Sequence, residues 1–247
     1  MNGFSFGILL AGLMFAMRGV PWLGRRWPGS RGFLVFLLVL GVSALAAMAT
    51  NTLWRSDTLG IEINRSWIAA YLLGVVLTGP MIYGLSHGLF GAPAARPFVG
   101  SFRREIPRLS AALAVGVVEE WYFRGVWGLL CRESFGPLAG ALAANAVFIL
   151  ALAPWFQRSR GLNLLSLFGF GLSMSWAWQM TGSLAVPAGI HTAAYYGFQH
   201  WPRRPAGRSS KTWAYWLGGE DSAVGAGPVA VYALAAVLAV GLVRWMS

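Results

Sequence analysis

The sequence predicts an all-α polytopic membrane protein, about eight transmembrane helices in one bundle. Three observations predict it. Of the 247 residues, 57% are hydrophobic and only 11% are charged, where soluble domains carry about 25% charged residues. Apolar stretches near the roughly 20 residues a spanning helix needs recur along nearly the whole chain. The basic residues fall in alternate loops, which is the pattern that membrane orientation produces.

The apolar segments run approximately over 4–17, 33–50, 66–90, 109–131, 137–154, 162–180, 183–199 and 224–243. The first is short, and a signal peptide is its rival reading. A signal peptide carries a basic region ahead of its apolar core. Here residues 1–3 have no basic side chain, and the arginines come afterwards, from Arg18 onward. A retained helix entering from outside is the expectation. The 91–108 segment holds three prolines and is expected to lie partly along the membrane surface. In the 162–180 segment, Gly169, Gly171, Ser173 and Ser175 have small-xxx-small spacing. That spacing permits close helix packing and requires no chemistry.

The loops set the orientation. Arg18, Arg25, Arg26, Arg31, Arg96, Arg103, Arg104, Arg108, Arg158, Arg160, Arg203, Arg204, Arg208 and Lys211 share one side. The opposite side has only Arg55, Arg65, Arg132 and Arg244. The rich side is cytoplasmic, so the N-terminus and C-terminus are expected outside. This distribution also accounts for the net charge of +11 without nucleic acid. The expected partner of the basic loops is the anionic face of the lipid bilayer. Trp22, Trp27, Trp54, Trp67, Trp155, Trp201, Trp213 and Trp216 lie near the proposed helix ends as interfacial anchors. Cys131 is the one cysteine, so no internal disulfide can form. Arginine outnumbers lysine 18 to 1, consistent with GC-rich coding and a bacterial plasma membrane.

The fourth segment contains the anomaly: Val118-Glu119-Glu120-Trp121-Tyr122-Phe123-Arg124-Gly125. Each charge at the bilayer centre costs roughly 2.5–3.5 kcal/mol on insertion scales. Counting from Leu109, Glu119 lies about 15 Å deep in a core of about 30 Å. Glu120 and Arg124 are i and i+4, so they share a helix face and can pair. Glu119 is turned about 100° away and has no such local partner. An unmatched carboxylate at low dielectric suits a general base. The alternative is an ion-pair network that only holds helices together. His191 lies about 12 Å from the outer end of its helix, near the level of Glu119. His87 is closer to the cytoplasmic end, and His200 lies in a basic loop.

Glu-Glu-x-x-x-Arg on a membrane helix resembles the first motif of the CAAX-protease and bacteriocin-processing (CPBP) family of intramembrane proteases. The resemblance implies a catalytic core over 105–200, flanked by N-terminal helices and basic loops over 1–104 and by a basic loop and final helix over 201–247. The family's second motif, Phe-x-x-x-His, corresponds to Phe148-Ile149-Leu150-Ala151-Leu152, where Leu152 replaces the histidine. A later motif, His-x-x-x-Asn or Asp after a small-residue turn, corresponds to Gly182, Ser183, Pro187 and His191, with Tyr195 in the amide position. Asn145 shares a helix face with Phe148 and Leu152 and is a candidate polar support there.

The resemblance implies an endopeptidase acting near a membrane anchor, on a membrane-associated peptide or protein substrate. Glu119 is then the general base. Glu120 and Arg124 form the pair that orients it. His191, with Tyr195, polarises the scissile carbonyl. No cofactor is expected. A zinc ion is the alternative, but it wants three protein ligands. There is no His-Glu-x-x-His, and only His191 lies at depth. Two other readings stay open: a catalytically silent relative that binds or shields a membrane peptide, and a transporter relaying protons through the carboxylates. No paired broken helices favour the transporter.

Overall fold

A computed structural model describes residues 6–15, 30–49, 63–90, 102–152, 162–199 and 226–246. Among these, no strand occurs. The helices are α1 (Phe6–Phe15), α2 (Ser30–Ala49), α3 (Arg65–Phe90) and α4 (Phe102–Glu120). A π-helical segment, π1 (Trp121–Trp127), continues α4 directly into α5 (Gly128–Phe135). Then come α6 (Pro137–Leu152), α7 (Leu162–Thr181), α8 (Ala185–Gln199) and α9 (Ala226–Met246). Each predicted apolar segment therefore contains helix, and the fourth falls within the continuous run of α4, π1 and α5.

Two stretches are long and apolar enough to cross a membrane: Arg65–Gly84 in α3 and Val229–Met246 in α9. α1, α2 and α6 have shorter apolar runs, Phe6–Phe15, Leu37–Ala46 and Pro137–Ala151. In α4 the sequence itself explains the shortfall, because six of its 19 residues are charged. Residues 18–29, 91–101, 155–161 and 200–223 carry most of the orientation argument and lie outside the described residues. So do His200, the side chain of His87 and every proposed anchor tryptophan except Trp67.

The fourth helix starts at Phe102 rather than near Leu109. The polar run Arg103-Arg104-Glu105 does not read as apolar. Glu105 alone suits a first helical turn, whose free N–H groups favour an acidic side chain, while Arg103 and Arg104 oppose the same dipole. Glu105 lies in that turn and accepts a hydrogen bond from Arg108 at 2.9 Å. Pro107 follows early in the helix without ending it.

α8 is the central element. Every residue from Leu184 to Ala194 is buried, and α3 and α4 pack along it. The approach is close enough to need glycine on both sides. A Cβ on Gly116 of α4 would overlap the Thr192 hydroxyl, and one on Gly189 would overlap the Tyr71 carbonyl oxygen. The Tyr71 hydroxyl donates to Thr192 Oγ1 at 2.9 Å, fixing the register of α3 on α8. Without this approach, His191 would not reach the acidic pair on α4.

α8 enters from a turn. Gly182 adopts φ +65°, a backbone region that favours glycine. Ser183 Oγ then accepts from the Ala185 N–H at 3.2 Å. α9 packs against α7 and α3. Arg244 of α9 donates to the Met180 carbonyl at 3.2 Å, satisfying an end group of α7.

Candidate active site

The anomalous charges meet in the middle of the bundle. Glu119, Glu120, Arg124 and His191 are 2%, 0%, 1% and 8% exposed. At that burial, each charge must be answered by protein. Arg124 Nη1 donates to Glu120 Oε1 at 3.1 Å, so the i,i+4 pair expected from spacing forms. His191 Nδ1 lies 2.7 Å from the same oxygen, Glu120 Oε1. His191 Nε2 lies 3.8 Å from Glu119 Oε2. The imidazole therefore stands between the two adjacent carboxylates, with a tight contact on one nitrogen and an open one on the other.

The Glu120–Arg124 pair directly holds His191, and Glu119 is aligned by facing the far side of that ring. The reason is helical. Glu119 and Glu120 diverge by about 100°, so an element lodged in the angle between them contacts both. α8 occupies that angle.

A π-helix starts immediately after Glu120, and spacing did not foretell it. Its i→i+5 pattern shifts the helical register before α5 resumes. The segment is packed by Tyr122, whose hydroxyl donates to the Leu9 carbonyl at 3.1 Å, and by Phe6 against Trp127. The irregular turn thus contacts α1 as well as α2, α6 and α7, surroundings invisible in local sequence.

Further polar residues complete the surroundings. Asn145 and Phe148, three apart on α6, both touch Arg124. Asn145 Oδ1 lies 3.5 Å from Arg124 Nη2, at the outer limit of hydrogen bonding. The Phe148 ring lies under the guanidinium, 4.2 Å from its carbon to the ring centroid, a cation–π geometry. Asn145 Nδ2 donates to Ser175 Oγ at 3.0 Å and to the Ala141 carbonyl at 2.8 Å. The sequence spacing of Ser175 points to packing alone. Its position four residues after Gly171 was visible in the sequence, but that spacing is equally explained by close packing. On the other flank, Phe170 meets the His191 ring edge to face at 5.0 Å, and Tyr232 of α9 backs Phe170 at 5.2 Å.

Tyr195 follows His191 by one turn, is half-buried, and lies within electrostatic range of Glu119. Leu152 is the last residue of α6, and its side chain lies outside the described residues. Cys131 is buried in α5 as a free thiol.

The acidic pair of the first motif and the histidine of the later one thus share one buried cluster. Residues 106–197 match the family model of the type II CAAX prenyl endopeptidase Rce1-like proteins. This is a CPBP family, and its members are membrane-associated proteases. No curated protein and no solved structure matches the chain. The Rce1-like segment takes in most of α4, π1, α5, α6, α7 and most of α8, and with them Glu119, Glu120, Arg124, Asn145, Phe148, Ser175, His191 and Tyr195. Tyr71 and Tyr232, which support α8 and Phe170, come from helices outside it.

Among the described residues, no group of three or more His, Cys, Asp or Glu side chains is arranged to hold a metal ion. Glu120 Oε1 is engaged by Arg124 and His191, and His191 Nδ1 is engaged by Glu120. Glu120 Oε2 accepts no hydrogen bond, and Glu119 Oε2 and His191 Nε2 face each other at 3.8 Å. No step below is routed through a metal.

Proposed function

We propose that this chain is an eight-span intramembrane endopeptidase that hydrolyses a peptide bond near a membrane anchor, with Glu119 activating water. One observation carries the proposal: His191 of the Rce1-like segment lies in a buried cluster between the two adjacent glutamates of Glu-Glu-x-x-x-Arg.

The roles follow from which atoms are free. An ionised Glu120 accepts only, so His191 Nδ1 carries a proton toward it. With His191 as imidazolium, two carboxylates face two cations and the formal charges cancel within the cluster. Its Nε2–H then points to Glu119 in the resting site. A water beside this gap can touch both Glu119 Oε2 and Nε2. Glu119 takes a proton from the water while its oxygen attacks the scissile carbonyl carbon. The negative charge that develops on the carbonyl oxygen is met by the Nε2–H, with the Tyr195 hydroxyl as second donor. The proton on Glu119 then passes to the departing amine as the C–N bond breaks, restoring the carboxylate.

Arg124 and Glu120 supply preorganisation. They hold the ring so that Nε2 needs no reorientation during the reaction. The substrate class is a peptide or protein segment tethered to the bilayer, and prenylated C-termini are the family's chemistry. The positive-inside asymmetry supports an inner-membrane location with both termini outside.

The test is cleavage by the full chain in liposomes, using a farnesylated CAAX-type peptide and a panel of unprenylated hydrophobic peptides. The parent is expected to cut at least one, and His191→Ala to cut none. A second reading, a silent relative that binds membrane peptides, is favoured by Leu152 at the second-motif histidine position. It predicts peptide retention without cleavage by the parent and by His191→Ala alike.

A further inference from the structure

We infer that Ser175, acting through Asn145, is a positioning residue for the Arg124–Glu120–His191 array. The kinetic part of this inference rests on the protease reading, and the spectroscopic part does not.

Arg124 is 1% exposed, Asn145 1% and Ser175 4%. Buried polar groups at that depth must pair with one another. The Asn145 carboxamide has two N–H donors and one oxygen. Both donor directions are used, toward the Ala141 carbonyl on its own helix and toward Ser175 Oγ on α7. That fixes the amide plane and leaves Oδ1 facing Arg124 Nη2. The guanidinium is thereby located from three sides. Glu120 takes its Nη1, Asn145 faces its Nη2, and Phe148 lies against its plane. Glu120 Oε1 in turn holds His191 Nδ1. An unbroken chain of contacts runs from α7, through α6 and π1, to the ring on α8.

Gly171 shows that this arrangement has little slack. A Cβ there would overlap Asn145 Oδ1 and approach Arg124 Nη2 to 2.9 Å. Gly171 and Ser175 are one turn apart on α7, so one helix face both makes room for the carboxamide and orients it. Ser173 is the internal contrast. Its hydroxyl donates to the Gly169 carbonyl of its own helix at 2.9 Å, so it contributes nothing to the array.

Losing the Ser175 hydroxyl leaves one Asn145 N–H unpaired, and only the bond to the Ala141 carbonyl then holds the amide plane. The expected kinetic result for Ser175→Ala is a fall in kcat of about tenfold with KM unchanged. Gly171→Ala should do the same by displacing Asn145 without deleting any polar group. Ser173→Ala should match the parent. These rates are measured in liposomes on the farnesylated CAAX-type peptide.

A second readout needs no substrate. With His87 and His200 changed to Gln, the ¹⁵N-histidine spectrum of the full chain in detergent reports His191 alone. Its ring-nitrogen signals should move in Ser175→Ala and Gly171→Ala but not in Ser173→Ala. Gly171→Ala serves if Ser175→Ala does not fold. Unchanged His191 signals in the folded variants, or a parental kcat in both, would overturn the inference. If the spectra move but the parent cuts no peptide, positioning stands and the protease reading falls.

Discussion

α4 and its π-helical continuation carry two Glu–Arg pairs with nearly the same local chemistry and different consequences. Glu105 and Arg108 are i,i+3 at 2.9 Å, and Glu120 and Arg124 are i,i+4 at 3.1 Å. The first pair is partly in the open, its side chains 13% and 45% exposed. The second is sealed at 0% and 1%. Around the first, Tyr196 donates to Glu105 at 3.0 Å and ties the far end of α8 to α4. Around the second, an imidazole, an amide and an aromatic face are all recruited. The difference teaches that burial, more than pair geometry, decides how much structure a charge organises. Water is a cheap partner for the first pair, while the second must be completed by protein.

Breaking each pair should therefore give unequal effects. Arg124→Leu leaves Glu120 without its guanidinium partner in a sealed site. It is expected to destabilise the fold by about 3–5 kcal/mol and to abolish cleavage, read by thermal unfolding in detergent and by peptide hydrolysis. His191→Gln keeps similar bulk and removes the imidazolium. It should lower kcat by about 10²-fold or more while the protein stays folded. Arg108→Ala, the matching break in the exposed pair, should cost about 0–1 kcal/mol and leave kcat near the parental value. The smallest effect is on salt dependence. Raising salt from about 0.1 to 1 M shortens the screening length from about 10 to 3 Å. The stability increment of Arg108 should shrink with it, while that of Arg124 should hold. Equal losses at the two pairs would remove the distinction drawn here.

How much of this was legible in the sequence follows the same division. The apolar segments located every described helix, because hydrophobic burial is written residue by residue. The pairing of Glu120 with Arg124 was legible because i,i+4 geometry is local. The meeting of His191 with both glutamates was foreshadowed only as equal depth. The angle at which α8 enters depends on Gly116 and Gly189 permitting close approach, which no local pattern states. The early start of α4 was missed because Arg103-Arg104-Glu105 and Pro107 look like loop. π1 was missed because an i→i+5 register shift leaves no mark in residue spacing. Ser175 was passed over because small residues at that spacing serve packing and hydrogen bonding alike.

The two halves of the support also differ in origin. The residues proposed to react all lie within the segment that matches the Rce1-like family model, whereas Tyr71, Tyr232 and α1 brace it from outside. The full chain is therefore the right object for any assay.

The central claim is that Glu119, the carboxylate without an ion-pair partner on its own helix, performs the chemistry. The most direct measurement compares the parent with Glu119→Gln, reconstituted at equal folded amounts, in single-turnover cleavage of a membrane-tethered peptide that the parent cuts. The account predicts that the glutamine variant still binds the peptide but hydrolyses it at least about 10²-fold more slowly, since an amide cannot accept the water proton. Cleavage by Glu119→Gln at the parental rate would contradict it.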